Sequence, residues 1–233
     1  EAAVAPPDIS ETLAQYYAAV SHQDEELAKI LEAVKVRGNA NNTLVIYTSD
    51  HGMMVGHHGL IGKSNATIPQ NLYEESIRVP MILRWPAGFS ETGISLEFPF
   101  DHLDLFQTIL DAAGLPEPDE VNGVAQMPYH GVSMRYAFDD PEAEDRRRTQ
   151  YFEMFVNRGI YHEGWTAVTR HSIPWETGTP LPPIARDVWE LYGPDDWTQS
   201  NNVAADNPKQ LQRLQQLFLA EAAKHNALPL DDR

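Results

Sequence analysis

The sequence predicts an α/β fold that ends in a small antiparallel sheet and a terminal helix. Three observations carry that reading. A long helical period is followed by two short β-branched runs and a second helix, an alternation typical of α/β domains. The composition is globular, with 42% of the 233 residues hydrophobic and 22% charged, enough apolar side chains to form a core. In the last third, short aromatic-rich segments alternate with turn residues, the pattern of hairpins. The expected division is 1–149 for the larger α/β part and 150–233 for the sheet and last helix.

Ala2 to Asp8 reads as a Pro-containing lead-in, and Ser10 as an N-cap. Leu13, Tyr17, Val20, Leu27, Leu31 and Val34 then recur at helical spacing. They predict a helix over 11–36, closed by Gly38 and the turn Asn39–Asn42. Asp24 falls within that stripe and reads as a buried carboxylate that caps or ties a loop, with a direct chemical role as the lesser alternative. Leu44 to Thr48 is continuously apolar and fits the buried centre of a parallel sheet. Val79 to Arg84 is a second strand, with Pro80 near its start. Asp101 caps a helix running to Ala113, with Asp104 in its first turn and Gly114 at its end.

Residues 115–149 are rich in Pro and Gly, and Asp139 to Arg148 is a charged stretch expected at the surface. Strands are predicted at Tyr151–Val156, Ile160–His162, Trp165–Arg170 and Val188–Tyr192. Asn157-Arg158-Gly159 and Glu163-Gly164 are the expected turns. A last helix starts at Asn207 with Pro208 in its first position, and carries Leu211, Leu214, Leu217 and Phe218 toward Ala222. There is no internal repeat and no low-complexity tract.

Charge excludes some partners. With 17 Lys and Arg against 34 Asp and Glu, the formal net charge is −17, which argues against nucleic acid or an anionic membrane surface as a partner. No apolar run reaches the roughly 18 residues of a transmembrane segment. Without cysteine, the chain has no disulfide, thiolate metal site or Cys nucleophile.

Reactive side chains are densest in Thr48-Ser49-Asp50-His51-Gly52, then Gly56-His57-His58-Gly59 and Gly62-Lys63. Asp50 and His51 stand where the first strand ends, the end at which α/β sheets bind ligands. Neighbouring Asp and His side chains share one divalent ion if the chain turns sharply, and Gly52 is expected to permit that turn. Lys63 lies in a glycine-rich loop able to fold back over them. A metal ion and a lysine around one space suit a tetrahedral oxyanion, sulfate or phosphate. The spacing alone leaves the plainer alternative open: Asp-His-Gly is also an ordinary turn sequence, and paired histidines often lie at the surface. No HExxH, zinc-finger, EF-hand, G-x-S-x-G or phosphate-loop pattern is present.

The strings TSDHGMMVGHHGLIGK and YEESIRVPMILRWP, within Asn42 to Pro86, resemble the sulfatases of the alkaline-phosphatase superfamily. YYAAVSHQDEELAKIL and DHLDLFQTILDAAGLP resemble the helices on either side in that family. YFEMFVNRGIYHEGWTAVTRH and the final ALPLDDR resemble the carboxyl part of bacterial arylsulfatases. The resemblance implies an alkaline-phosphatase-like sheet flanked by helices and a metal-dependent sulfuric ester hydrolase. It implies Asp50 and His51 as metal ligands, Lys63 as the residue that holds a sulfate oxygen, and His58 as a pocket residue in the catalytic site. His57 stands where the family usually has Glu, and His51 where many arylsulfatases have Asn.

The family's Cys-x-(Pro/Ala)-x-Arg motif, whose Cys becomes the formylglycine nucleophile, is expected upstream, as are two further metal carboxylates. The chain therefore reads as the carboxyl-terminal part of a sulfatase, inert when isolated. Calcium is the metal the resemblance implies first, and the nitrogen of His51 leaves manganese, iron and zinc open. The expected substrate is a small-molecule or carbohydrate sulfate ester, with a phosphonate monoester or phosphodiester as the alternative within the superfamily and a catalytically inert remnant or interaction module as the alternative outside enzymes. Loops 64–76, 119–133 and 171–187 are expected to wall the pocket.

Overall fold

The computed structural model describes residues 9–67, 70–97, 99–140, 142–171 and 183–230. The readings at Ala2–Asp8, at 172–182 of the third pocket loop and at Asp231–Arg233 lie outside the described residues. The chain forms two compact units, one of Glu1–Lys29, Tyr47–Ile82 and Thr149–Arg233, the other of Ile30–Ile46 and Leu83–Arg148.

Helix α1 spans Ile9–Val36, so Ser10 lies inside it rather than capping it. None of its residues is buried: Leu13, Leu27, Leu31 and Val34 are half-buried, and Tyr17 and Val20 are exposed. Asp24 is also exposed, which corrects the expectation of a buried capping carboxylate. Gly38 ends the helix in the left-handed region, with φ of 80°, and its N–H donates to the Lys35 carbonyl at 3.0 Å.

Strand β1, Val45–Thr48, pairs with β4, Met81–Arg84. All four residues of β1 are half-buried and those of β4 alternate with exposed positions, so the expected fully buried strand is not observed. Among the described residues each of these strands has one neighbour, and a two-stranded ladder leaves its outer edges open. Between them lie the short strands β2 (Met54–Val55) and β3 (Ile61–Gly62) and the single-turn helix α2 (Glu74–Ile77).

In the second unit, helix α3 spans Leu103–Ala113 and ends at Gly114. Asp101 Oδ1 accepts the Leu103 N–H at 2.9 Å, and the Asp101 N–H donates to Asp104 Oδ2 at 2.9 Å, a reciprocal cap. Asp104 is more than a first-turn charge. It is 1% exposed, accepts the Val132 N–H at 2.7 Å and receives Arg147 Nε at 3.0 Å, with Arg147 Nη2 on its other oxygen. Arg147, expected at the surface with its charged neighbours, is drawn in because a buried carboxylate requires a paired cation. Strands β5 (Glu120–Val121) and β6 (Val124–Ala125) form a small hairpin on the left-handed pair Asn122-Gly123, where the Pro- and Gly-rich composition predicts only loop.

The carboxyl sheet has the order β10-β9-β8-β7 and is antiparallel throughout. Its strands are β7 (Thr149–Met154), β8 (Asn157–His162), β9 (Trp165–Thr169) and β10 (Trp189–Tyr192). The Glu163-Gly164 turn is as expected, with both residues left-handed. The first turn is not. Met154 pairs with Asn157, so the turn falls on Phe155-Val156, at φ of 51° and 66°, and Asn157-Arg158-Gly159 opens β8. Side-chain bonds fix this register: Glu153 Oε1 accepts the Val156 N–H at 2.7 Å, and Asn157 Nδ2 donates to Gln70 Oε1 at 3.0 Å. Helix α4, Pro208–Lys224, begins after Asn207 with Pro in its first turn. It packs Leu214, Phe218 and Ala222 on Ile160, Ala167 and Leu191 of the sheet. No helix among the described residues is long and apolar enough to cross a membrane.

Replacing Arg147 with Met leaves the Asp104 carboxylate buried with its cation gone. The expected cost is about 3 kcal/mol, read as a lower urea midpoint with an unchanged denaturant slope.

Candidate functional site

The chain leaves β1 at Thr48 and turns through Ser49, Asp50 and His51. Ser49 Oγ donates to the His51 carbonyl at 2.9 Å, which holds the turn. Gly52 is buried. Its N–H donates to the Ser76 carbonyl at 2.9 Å, and a Cβ there would lie 2.0 Å from the Glu75 carbonyl oxygen. Glycine is thus required for close approach to α2 rather than for a left-handed turn.

Asp50 and His51 are brought together. His51 Nε2 lies 3.7 Å from Asp50 Oδ2, with the Asp50 side chain 86% exposed and that of His51 41%. His51 Nδ1 is 2.9 Å from the Gly52 carbonyl. A carbonyl only accepts, so Nδ1 is the nitrogen that donates, and in the neutral ring Nε2 is the one that carries the lone pair. A bare imidazole nitrogen and a carboxylate at this spacing both reach one divalent ion through bonds of roughly 2.0–2.5 Å. The donor set fits a metal in kind and falls short in number: among the described residues no three His, Asp or Glu side chains converge as a metal site.

The hairpin of β2 and β3 pairs Met54 with Gly62. Lys63 follows directly after β3, with its side chain exposed. The turn between the strands holds Gly56, His58 and Gly59 in left-handed conformations. His58 is exposed and its ring stacks on Tyr73, with centroids 3.9 Å apart and planes 6° apart. His57 is exposed beside it.

His57 and His58 line a cavity of about 500 Å³ together with Tyr73, Glu75, Glu190, Tyr192 and Gln199. The Tyr73 and Tyr192 hydroxyls both donate to Glu190 Oε2, at 3.1 and 2.7 Å. Burial, then the Glu190 charge, pushes the Tyr73 hydroxyl up to about 12; burial, then the hydrogen bond to Glu190, raises Tyr192 as well. Both stay neutral donors at physiological pH. Sequence reading missed Glu75, Glu190 and Gln199. Gln199 Oε1 accepts the Glu74 N–H at 2.8 Å across 125 residues, and no local pattern signals such a pairing.

A second cavity, of about 570 Å³, belongs to the other unit and is lined by Leu103, Phe106, Gln107, Val121 and Tyr129 among others. Its residues include none of those singled out for chemistry.

Residues 2–115 match the family model described as Sulfatase. The chain is 33% identical over 117 residues to N-acetylglucosamine-6-O-sulfatase of Bacteroides thetaiotaomicron, covering 48% of this chain and 19% of that protein. It is 29% identical over 137 residues to the ulvan-active sulfatase of Formosa agariphila, covering 58% and 24%. Against arylsulfatase K of Homo sapiens it is 30% identical over 121 residues, covering 52% and 21%. The aligned part thus spans about a fifth of the length of these curated relatives. A solved structure of a sulfatase-family protein from Bacteroides fragilis superposes with a TM-score of 0.68 at 23% identity, covering 97% of this chain and 45% of that one. One from Bacteroides thetaiotaomicron gives 0.66 at 20%, covering 94% and 46%. The fold is therefore that of solved sulfatases, in part.

Gly52→Ala is expected to force α2 and the Asp50–His51 turn apart, because the obstacle is backbone. A loss of about 1–3 kcal/mol and shifted NMR signals for both His51 and Ser76 would be observed. A pH titration tests the tyrosine pair. Tyr73 ionises near 10.0 when unfolded and near 12 when folded, so above pH 10 the native state holds the extra proton. Its contribution is complete below that pH and declines as pH rises through this window. The alkaline fall in urea midpoint should be shallower in Tyr73→Phe.

Proposed function

From the premise that this chain carries a sulfatase-family segment over residues 2–115, we propose that the protein it comes from is a sulfuric ester hydrolase. The observation that supports the reading most is the pairing of Asp50 with His51 at the end of β1, with Lys63 returned along the β2–β3 hairpin. In this reading Asp50 and His51 hold a divalent cation, calcium first, with manganese, iron or zinc admitted by the imidazole donor. Such an ion, when bound, supplies Lewis-acid polarisation of the sulfate oxygens.

The chain's own residues do the rest of what is proposed here. The Gly52 contact with α2 fixes the turn that aims both ligands. Lys63 donates to a sulfate oxygen and offsets the negative charge that grows on it toward the transition state. His58, braced against Tyr73, presents its ring edge to the substrate. The formylglycine nucleophile comes from upstream sequence, so residues 1–233 are inert by themselves. The substrate is a small-molecule or carbohydrate sulfate ester. The carbohydrate option is supported by relatives named for N-acetylglucosamine-6-O-sulfate and ulvan.

The test uses the intact protein, assayed on an aryl sulfate and on a matched phosphodiester, with residues 1–233 as the control. Preference for the sulfate ester is the expected result. Lys63→Ala should lower kcat about 10²–10³-fold with a smaller change in KM. An unchanged kcat would remove Lys63 from the reaction, and turnover by residues 1–233 would place the nucleophile within them.

A further inference from the structure

One relay of hydrogen bonds joins the segment that carries Lys63 to the turn that carries Asp50 and His51. On the Lys63 side, Ser64 is pinned at two atoms. Its carbonyl accepts the Thr67 hydroxyl at 3.0 Å and the Asn71 N–H at 3.4 Å, and its own hydroxyl donates to the Asn71 carbonyl. On the other side, the Gly52 N–H, next to His51, is held by the Ser76 carbonyl at 2.9 Å. The Asn71 side chain lies between the two. Its Nδ2 donates to Thr67 Oγ1 at 2.8 Å, and its Oδ1 accepts Ser76 Oγ at 2.7 Å and the Tyr73 N–H at 3.2 Å. The protons therefore run one way: from Ser76 to Asn71, from Asn71 to Thr67, from Thr67 to Ser64. Thr67 gives its own proton to Ser64, so Thr67 Oγ1 needs a donor while Ser76 Oγ needs an acceptor. A side-chain amide supplies both at once, and a carboxylate or an apolar group does not. Thr67, Asn71 and Ser76 are all buried, so a lost member leaves its neighbours unpaired away from water.

We propose that Asn71 is a positioning residue for the Asp50, His51 and Lys63 constellation. Through Thr67 and Ser64 it fixes where Lys63 leaves the backbone, and through Ser76 and Gly52 it fixes the turn that bears Asp50 and His51. Lys63 ends in a flexible exposed side chain, so the anchorage of its backbone decides which volume the ammonium samples. That anchorage matters because a reacting group misplaced by about 1 Å costs up to roughly a hundredfold in rate. Asn71 touches no substrate in this reading; it acts only through the residues it spaces. The effect on turnover rests on the sulfuric ester hydrolase reading, whereas the coupling of Thr67 to Gly52 is a property of this chain whatever its substrate.

The experiment cuts the relay at Thr67, where Thr67→Val keeps the shape and removes the hydroxyl, and Thr67→Ser keeps the hydroxyl. Amide hydrogen exchange of residues 1–233 reads the coupling without any substrate. Thr67→Val should speed exchange at Gly52, 15 positions away (67 − 52), about fivefold, the factor that one net hydrogen bond is worth. Exchange in β9 should stay as it was, and Thr67→Ser should restore the original Gly52 rate. In the intact protein, Thr67→Val should lower kcat on an aryl sulfate about tenfold with little change in KM. Added to Lys63→Ala, it should cost no more than about twofold further, because the group whose anchorage Thr67 shares is already gone. A merely structural role would instead make the two losses multiply. An unchanged Gly52 amide, equal acceleration in β9, or no rescue by Thr67→Ser would overturn the relay, and multiplying losses would overturn its action on Lys63. If the unsubstituted intact protein turned over no sulfate ester, the hydrolase reading would fall, and the relay would stand or fall on Gly52 exchange alone.

Discussion

The approach of Gly52 to the backbone of α2 is the constraint on which the candidate site rests. Its N–H is bonded to Ser76, and the Glu75 carbonyl occupies the space a side chain would need. That contact fixes where the chain goes after β1, and so where Asp50 and His51 stand. It also passes the requirement on to α2, a single turn of four residues, too short to be stable by itself.

Helix α2 packs Ile77 against the cluster of Leu72, Val168 and Tyr192, and a buried polar network holds it as well. Asn71 Oδ1 accepts from Ser76 Oγ at 2.7 Å and from the Tyr73 N–H at 3.2 Å, while its Nδ2 donates to Thr67 Oγ1 at 2.8 Å. Gln199 takes the Glu74 N–H. Gln70 reaches Asn157, whose Oδ1 accepts the His171 N–H at 2.9 Å. Networks of this kind are costly when incomplete and directional when complete. They hold the turn in one geometry, which a purely apolar contact would not specify.

The carboxyl sheet gives that network a rigid anchor. Its core of Ile160, Ala167, Leu191, Leu214, Phe218 and Ala222 lies between the β8–β10 strands and α4. Asn157 stands at the start of β8 because the chain turns at Phe155-Val156. Val is a poor residue for a left-handed conformation. Here the Glu153 bond to the Val156 N–H and the bonds made by Asn157 outweigh local preference, and the turn residues that looked obvious, Asn157-Arg158-Gly159, become strand.

Apart from the short elements β2, β3, β5, β6 and α2, which it did not mark, the sequence by itself determined the three longer helices and the four strands of the carboxyl sheet, the terminal helix with its Pro208 start, the α3 cap at Asp101 and the cluster from Asp50 to Lys63. Each of these depends on neighbours a few residues apart: helical spacing, a capping side chain, a glycine after a strand. Tertiary structure decided what lies across long separations. It took Arg147 from a charged surface run to Asp104, exposed Asp24, moved a hairpin turn by two residues, and set Gln199 against Glu74. It also gave Gly52 its reason, since whether a Cβ fits there depends on a carbonyl 23 positions away (75 − 52). Local pattern encodes backbone conformation; burial and pairing depend on which distant groups arrive, and a single sequence carries no local mark of them.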